Sequence, residues 1–313
     1  MKKITLLILI FLTLGIFFIW QGIYLPKDLF GEEKFFLVEK GQGLFQIAED
    51  LEKEGLIKNA FYFKTYVLLK NQARSLQAGE YLLSPSMRIS EITQKIISGD
   101  IVKEEITIIE GWNLKDIGFY FENRGMFQAE ELYDERADLE GYFFPDTYQT
   151  RRGATLEEII KMVTGNFNKK LTKELREEIE RQGKTISEIV TMASIIEKEV
   201  QTLEDKEIVS GIFWKRIKEK KPLQSCATIA YIKGVNQWRY SFEDTRIESP
   251  YNTYLNLGLP IGPISNPGLD SIKAAIFPKK TDYNYFLNDP ETGKTIFSKT
   301  LEEHNIAKVK YLK

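Results

Sequence analysis

The sequence predicts an α+β protein made of a single N-terminal transmembrane helix, a small α+β module over residues 33–100, and a larger mixed α+β domain with a helical core over residues 101–313. Three observations carry this. Lys2 and Lys3 precede an uncharged run from Ile4 to Tyr24, long enough as a helix to cross a ~30 Å hydrocarbon core. Short β-rich runs then meet glycine turns and helical periodicity, twice, about seventy residues apart. From Thr155 the apolar residues keep helical spacing through several consecutive segments, the pattern of packed helices.

The N-terminal run ends Phe17-Phe18-Ile19-Trp20-Gln21-Gly22-Ile23-Tyr24, with bulky aromatics where a cleaved signal peptide has small residues. Trp20 and Tyr24 suit the far membrane interface, and Lys2 and Lys3 bias residues 1–3 to the cytoplasm. Everything after Pro26 is then expected outside the inner (cytoplasmic) membrane, although Lys27 and Lys34 weaken the bias.

In the module, Phe36 to Ile47 reads as strand, turn and helix, closed by Gly55; Ile106 to Ile117 repeats the scheme, closed by Gly125. Phe61 to Leu69 and Ile89 to Ile97 read as helices around a strand from Ala78 to Leu83. The opening βα unit is of the kind found in glycan-binding LysM modules; a spacer role fits as well. In the larger domain Glu140 to Tyr148, broken by Pro145, reads as a loop or edge strand. Helices follow over Thr155–Phe167, Lys173–Arg181, Ile186–Val200 and Asp205–Lys220, with a brief resumption from Ala227 to Gly234 after Pro222. Residues 249–254 and 258–268 are rich in Pro, Gly and Asn, a stiff segment of turns. Asp282–Leu287 and Gly293–Phe297 read as a hairpin, and Leu301–Leu312 as a closing helix.

Composition excludes several functions. Lys and Arg total 43 against 45 Asp and Glu, so no field suggests a nucleic-acid partner. One cysteine, Cys226, and one histidine, His304, remove Cys-rich zinc sites, His-Glu-x-x-His metalloproteases and disulfide frameworks. No metal or cofactor is expected, and Cys226 reads as a small buried thiol.

One residue stands out by helical phase. Ile186, Val190, Ala193, Glu197 and Val200 recur at spacings of four and three, the stripe a helix turns toward its core. A carboxylate there must be paired with a Lys or Arg, sit at a cleft, or hold its proton near neutral pH. The last two suit a general acid. Glu199, roughly 200° around the helix, points away from Glu197, so the two do not form a facing pair.

Several sequence words occur together in order: Glu140-Gly-Tyr-Phe-Phe-Pro-Asp-Thr, Ala193-Ser-Ile-Ile-Glu-Lys-Glu199, Leu223-Gln-Ser225, Tyr251-Asn-Thr-Tyr254, Gly258-Leu-Pro260, Asn266-Pro-Gly268, and Phe297 with His304-Asn305. On these words the chain resembles the endolytic murein transglycosylases of the YceG/MltG type along nearly its whole length. The resemblance implies a membrane-anchored lyase that cuts the β-1,4 bond between N-acetylmuramic acid and N-acetylglucosamine within a glycan strand, leaving a 1,6-anhydro end and terminating strand elongation. It implies Glu197 as the catalytic acid, peptidoglycan as substrate, and cell-wall synthases as candidate partners. Gln224, Ser225, Tyr251, Asn252 and Tyr254 are the candidate sugar contacts, since amides, hydroxyls and rings can read acetamido groups and pyranose faces; the alternative is that they pin the Pro/Gly-rich loops. Cys226 stands where many relatives have Asp, and Ile261 where many have a second Pro. Burial is expected to raise the pKa of Glu197, as in other glycosidase acids. A two-carboxylate glycosidase would need a partner acid, for which Asp146 and Asp244 are the candidates. His304 and Asn305 are expected to tie down the last helix. A hydrolase of the same bond and a non-catalytic murein-binding scaffold are the rival functions.

Overall fold

Helix α1 (Lys2–Tyr24) forms from a run without charge or proline after Lys3. Its stretch Leu6–Tyr24 is long and apolar enough to cross a membrane, the one such helix among the described residues. The computed structural model describes residues 2–235, 237 and 240–312. Met1 of the expected cytoplasmic tail, and the side chains of Lys2 and Lys3, lie outside the described residues.

The chain divides into two units, residues 1–105 with 149–153, and residues 106–148 with 154–313. In the first, α1 is followed by β1 (Lys34–Val38), α2 (Leu44–Lys53), α3 (Ala60–Leu69), β2 (Gly79–Leu83) and α4 (Ile89–Ser98). The two strands pair antiparallel with Phe36 opposite Tyr81. Alternation along β2 sends Tyr81 and Leu83 inward, and the four- and three-residue spacing in α2 sends Leu44, Ile47 and Leu51 to meet them. Phe63, Val67, Ile92 and Ile96 complete this core. The Asn59 side chain caps α3 by accepting from the Phe61 N–H at 2.8 Å.

Strand β3 (Lys103–Thr107) leads to α5 (Leu114–Asn123) and α6 (Ala129–Tyr133), then pairs with β4 (Thr147–Arg151) in a second two-stranded sheet. The aromatic segment after Glu140 is thus turns up to Asp146 and strand from Thr147. Then come α7 (Leu156–Lys170), α8 (Lys173–Arg181), α9 (Ile186–Glu199), α10 (Leu203–Lys218), α11 (Cys226–Lys233), α12 (Leu269–Ile276), the hairpin β5 (Tyr285–Asn288) and β6 (Thr295–Ser298), and α13 (Leu301–Tyr311). The fold is mixed α+β.

Helix α9 is the centre of the larger unit. Thr185 caps it, accepting from the Glu188 N–H while the Glu188 carboxylate accepts from the Thr185 N–H. All eight residues from Ile189 to Ile196 are buried, and α8, α10, α11 and α12 pack around them. Its exposed residues, Ser187, Glu188 and Lys198, lie toward its two ends. Helix α12 was not legible in the sequence: it is eight residues long and lies between the proline-rich turns and Pro278.

Candidate active site

The C-terminal turn of α9 carries two carboxyl groups into two different surroundings. Glu197, chosen by phase, is enclosed: its side chain is 8% exposed and that of its partner Lys206, from the first turns of α10, is 5% exposed. The Lys206 ammonium donates to Glu197 Oε1 at 2.9 Å, and the Gly268 N–H donates to Oε2 at 2.9 Å. Both oxygens are therefore engaged within the protein. The carboxylate of Glu110 packs against Gly268 so closely that a Cβ there would meet its Oε1 at 1.9 Å. Burial and the Glu197 charge push the Glu110 carboxyl above its ordinary range, against the pull of Lys206. Glu110 was missed in the sequence because it lies 87 residues before Glu197 in a loop with no periodicity of its own.

Beside this pair lies a polar hub. Asn266, fully buried, accepts from the Phe143 N–H at 2.8 Å and donates through Nδ2 to Trp112 O at 3.0 Å and Glu140 Oε1 at 3.2 Å. Glu140 also accepts from the Leu114 N–H at 3.1 Å and the Tyr231 hydroxyl at 3.4 Å. Two of the sequence words, around Glu140 and Asn266, thus meet the turn at Gly111 and Trp112 and lock loops together. Burial pushes the Glu140 carboxyl up to about 7, against the donors that favour its charge. Because the folded value exceeds the unfolded one, its contribution to stability is full below about pH 4.5 and is lost as pH rises through about 7. Denaturant titrations at pH 5 and pH 8 should show a difference on the order of 3 kcal/mol from this group, at ~1.4 kcal/mol per pKa unit, which Glu140→Gln removes.

Glu199, at the last residue of α9, meets the residues expected to hold sugar. The Ser225 hydroxyl donates to Glu199 Oε1, and the Asn288 amide donates to the Glu199 backbone oxygen at 2.6 Å. The Ala227 N–H and the Arg216 guanidinium also act on the carboxyl, but burial outweighs them and pushes it above the ordinary carboxyl range. Its charged neighbour is Arg216, not a second acid. Arg216 is held by the carbonyls of Leu223 and Asn284. Glu199 nevertheless keeps a partly exposed surface. Glu197 and Glu199 form no facing pair, as their phase predicts: one meets Lys206 and Gly268, the other Ser225.

The five expected sugar contacts separate. Ser225 lies on Glu199, and its N–H donates to Thr253 Oγ1 at 3.1 Å. Gln224 is exposed beside it, in the left-handed region at φ 51°, with its N–H given to Thr253 O. A non-glycine residue held there costs roughly 1–3 kcal/mol, which the surrounding contacts must offset. Tyr254 joins the same group through its hydroxyl, 3.1 Å from Cys226 Sγ. Asn252 does not belong: it is fully buried, donates to Thr245 O at 3.1 Å and Ile247 O at 2.8 Å, and accepts from the Tyr254 N–H at 2.9 Å. Its amide is saturated by its own loop, so the pinning alternative holds for it. Tyr251 packs on Tyr231 with ring centroids 4.9 Å apart, on the Glu140 side.

Cys226 is exposed at the start of α11, not buried. Asp146 and Asp244 are committed elsewhere. Burial alone would raise Asp146, yet Asn166, the Thr147 N–H and Lys170 together hold it below the usual range; Lys233 and Ser241 do the same for Asp244. His304 is buried and stacks on Tyr285 at 5.2 Å, fixing α13 on the hairpin.

The YceG-like family profile matches residues 36–310. An endolytic murein transglycosylase of Bacillus subtilis is 34% identical over 304 residues, covering 88% of this chain and 84% of that protein. One from Streptococcus pneumoniae is 30% identical over 315 residues, with 86% of this chain aligned to 56% of the longer relative. The crystal structure of a YceG-like protein from Listeria monocytogenes superposes with a TM-score of 0.61 at 32% identity, over 88% of this chain and 99% of that one. With its fold and its motif words in that family's order, this chain belongs to the YceG-like family.

Proposed function

We propose that this chain is an endolytic murein transglycosylase, held at the membrane by α1 and cutting the N-acetylmuramic acid–β-1,4–N-acetylglucosamine bond, with Glu199 rather than Glu197 as its acid. The observation that carries the assignment is the position of the Glu199 carboxyl, accepting from the Ser225 hydroxyl beside Gln224 and Tyr254 and partly open to solvent, where burial raises its pKa. Glu197 is already neutralised by Lys206, which removes the reason to read it as a proton donor. The relatives named for the activity support the reaction class.

One carboxyl group suffices for this chemistry. Protonated Glu199 gives its proton to the glycosidic oxygen as the bond to muramic C1 breaks; the resulting carboxylate accepts the proton of the muramic 6-hydroxyl, whose oxygen closes on C1. No water is consumed, and the acid is restored. A retaining or inverting hydrolase needs a second carboxylate at a set separation, and the charged neighbour of Glu199 is instead a guanidinium. Arg216 also suits the moment when Glu199 is ionised, since it stabilises the charge that appears between the two proton transfers. In the smaller unit, β1-α2-α3-β2 forms a βααβ arrangement that supports a LysM-like, glycan-facing role.

Digestion of intact murein sacculi, with product ends read by mass spectrometry, tests the reaction. Anhydromuramic ends within long fragments are expected. Reducing ends would make the protein a hydrolase, and intact strands with retained binding would make it a scaffold.

A further inference from the structure

The exit of α1 is fixed to the folded unit that follows it. Gly22 lies against the ring of Tyr62 so closely that a Cβ would meet it at 2.5 Å, Ile23 is 4% exposed, and Tyr24 meets the Tyr66 ring edge-on at 6.5 Å. Beyond the helix, the Asp28 N–H donates to Pro85 O at 3.0 Å and the Ser84 hydroxyl to Gly31 O at 2.6 Å. Helix α1 and the module are therefore packed together at this junction.

Helix α3 is the element at that junction, and its composition is unusual for a surface helix. Ala60, Phe63 and Val67 face the core, yet the opposite side is apolar too: Phe61 and Leu68 are exposed, and Leu69 is 76% exposed. Leu69 follows Tyr62 and Tyr66 at spacings of four and three, so it continues the stripe that touches α1. Leu29 and Phe30, the latter 93% exposed, lie on the exit segment itself. Lys58 and Lys70 stand exposed just before and just after α3. Scattered surface leucines need no explanation, but these adjoin the segment of α1 long and apolar enough to enter a bilayer.

We propose that α3 rests on the bilayer surface, its Phe61–Leu68–Leu69 side at the boundary of headgroups and acyl chains, so that the module sits directly on the membrane that α1 spans. The proposal rests on the reading of α1 as a span. Depth follows from contact: at ~1.5 Å rise per residue, Gly22 lies only about 3 Å below Tyr24, so a helix packed on both is at the interface where Trp20 and Tyr24 end the span. A bilayer satisfies an exposed apolar face of this kind, and Lys58 and Lys70 can reach lipid phosphates beside it. The module's height above the membrane is thereby fixed by packing and not by a linker.

The test uses the full chain in vesicles of phosphatidylcholine and phosphatidylglycerol, in a Cys226→Ser background, with a fluorophore placed singly at Phe61→Cys, Leu69→Cys or Ile16→Cys. The labels at positions 61 and 69 are expected to lose at least half their emission to a lipid quencher carried near the headgroups and to resist aqueous iodide, while the label at 16 responds to a deep quencher. If position 16 is deep but 61 and 69 respond only to iodide, the face is free for a protein partner and the proposal fails. If position 16 responds to iodide, the span reading fails and takes the proposal with it.

Discussion

Glu199→Gln lowers the rate of strand cleavage by ~10²–10⁴, the range for loss of a general acid–base group. The variant folds normally, because glutamine has the same shape and its carbonyl still accepts from Ser225. Binding of murein persists, which separates loss of chemistry from loss of the site. Glu197→Gln is the comparison that decides between the two carboxyls of α9. It removes one charge of the Lys206 pair, so it lowers the melting temperature, yet the fraction that remains folded cleaves at a rate close to that of the parent. The reverse pattern, with Glu199→Gln active and Glu197→Gln folded but inert, would return the acid to Glu197. The pH profile offers an independent reading. Burial holds the Glu199 proton above the ordinary carboxyl range, so activity that depends on the protonated form persists to higher pH than an unperturbed carboxyl allows and falls only beyond it. Glu199→Asp keeps a titrating acid but shortens its reach, and so cleaves more slowly than the parent but faster than the glutamine variant.

How much of this was legible depends on how local each signal is. The module reads directly from the sequence, since β1, α2, α3 and β2 each bury residues at their own period and meet within fifty residues. Helix α9 and its buried Glu197 are legible as well. The phase argument separates Glu199 from Glu197, but it carries no sign that Ser225, the Ala227 N–H and Arg216, far along the chain, close around Glu199. The partner of Glu197 left a signal that was available: Lys206, Val209 and Phe213 share a stripe on α10, so a lysine sits where an aliphatic residue belongs, nine residues after the carboxylate. The hub of Glu140 and Asn266 left none. Its hydrogen bonds join residues 26 to 154 positions apart, and no period connects them. Asn252 shows the limit of reading chemistry from residue type, since an amide suited to a sugar is equally suited to three groups of its own loop.

Lys206→Ala is expected to be the most destabilising single change in the larger unit, by about 3–5 kcal/mol, the cost of leaving one member of a buried ion pair alone. Lys206 is 4% exposed, so water cannot take its place beside Glu197 without opening the contact between α9 and α10. At ~2–4 °C per kcal/mol for a domain of 150–250 residues, the melting temperature falls by roughly 6–20 °C. The double variant Glu197→Gln with Lys206→Met separates structure from chemistry. Glutamine still accepts from the Gly268 N–H through its carbonyl, methionine fills the volume of the lysine stem, and no isolated charge remains. Most of the lost stability returns, as measured by denaturant titration. Cleavage returns with it, because the proton is carried by Glu199 on the other side of the helix. A double variant that regains its fold and stays inert would place Glu197 in the reaction, and the Lys206 ammonium would then be the group that sets its charge instead of a structural counterion.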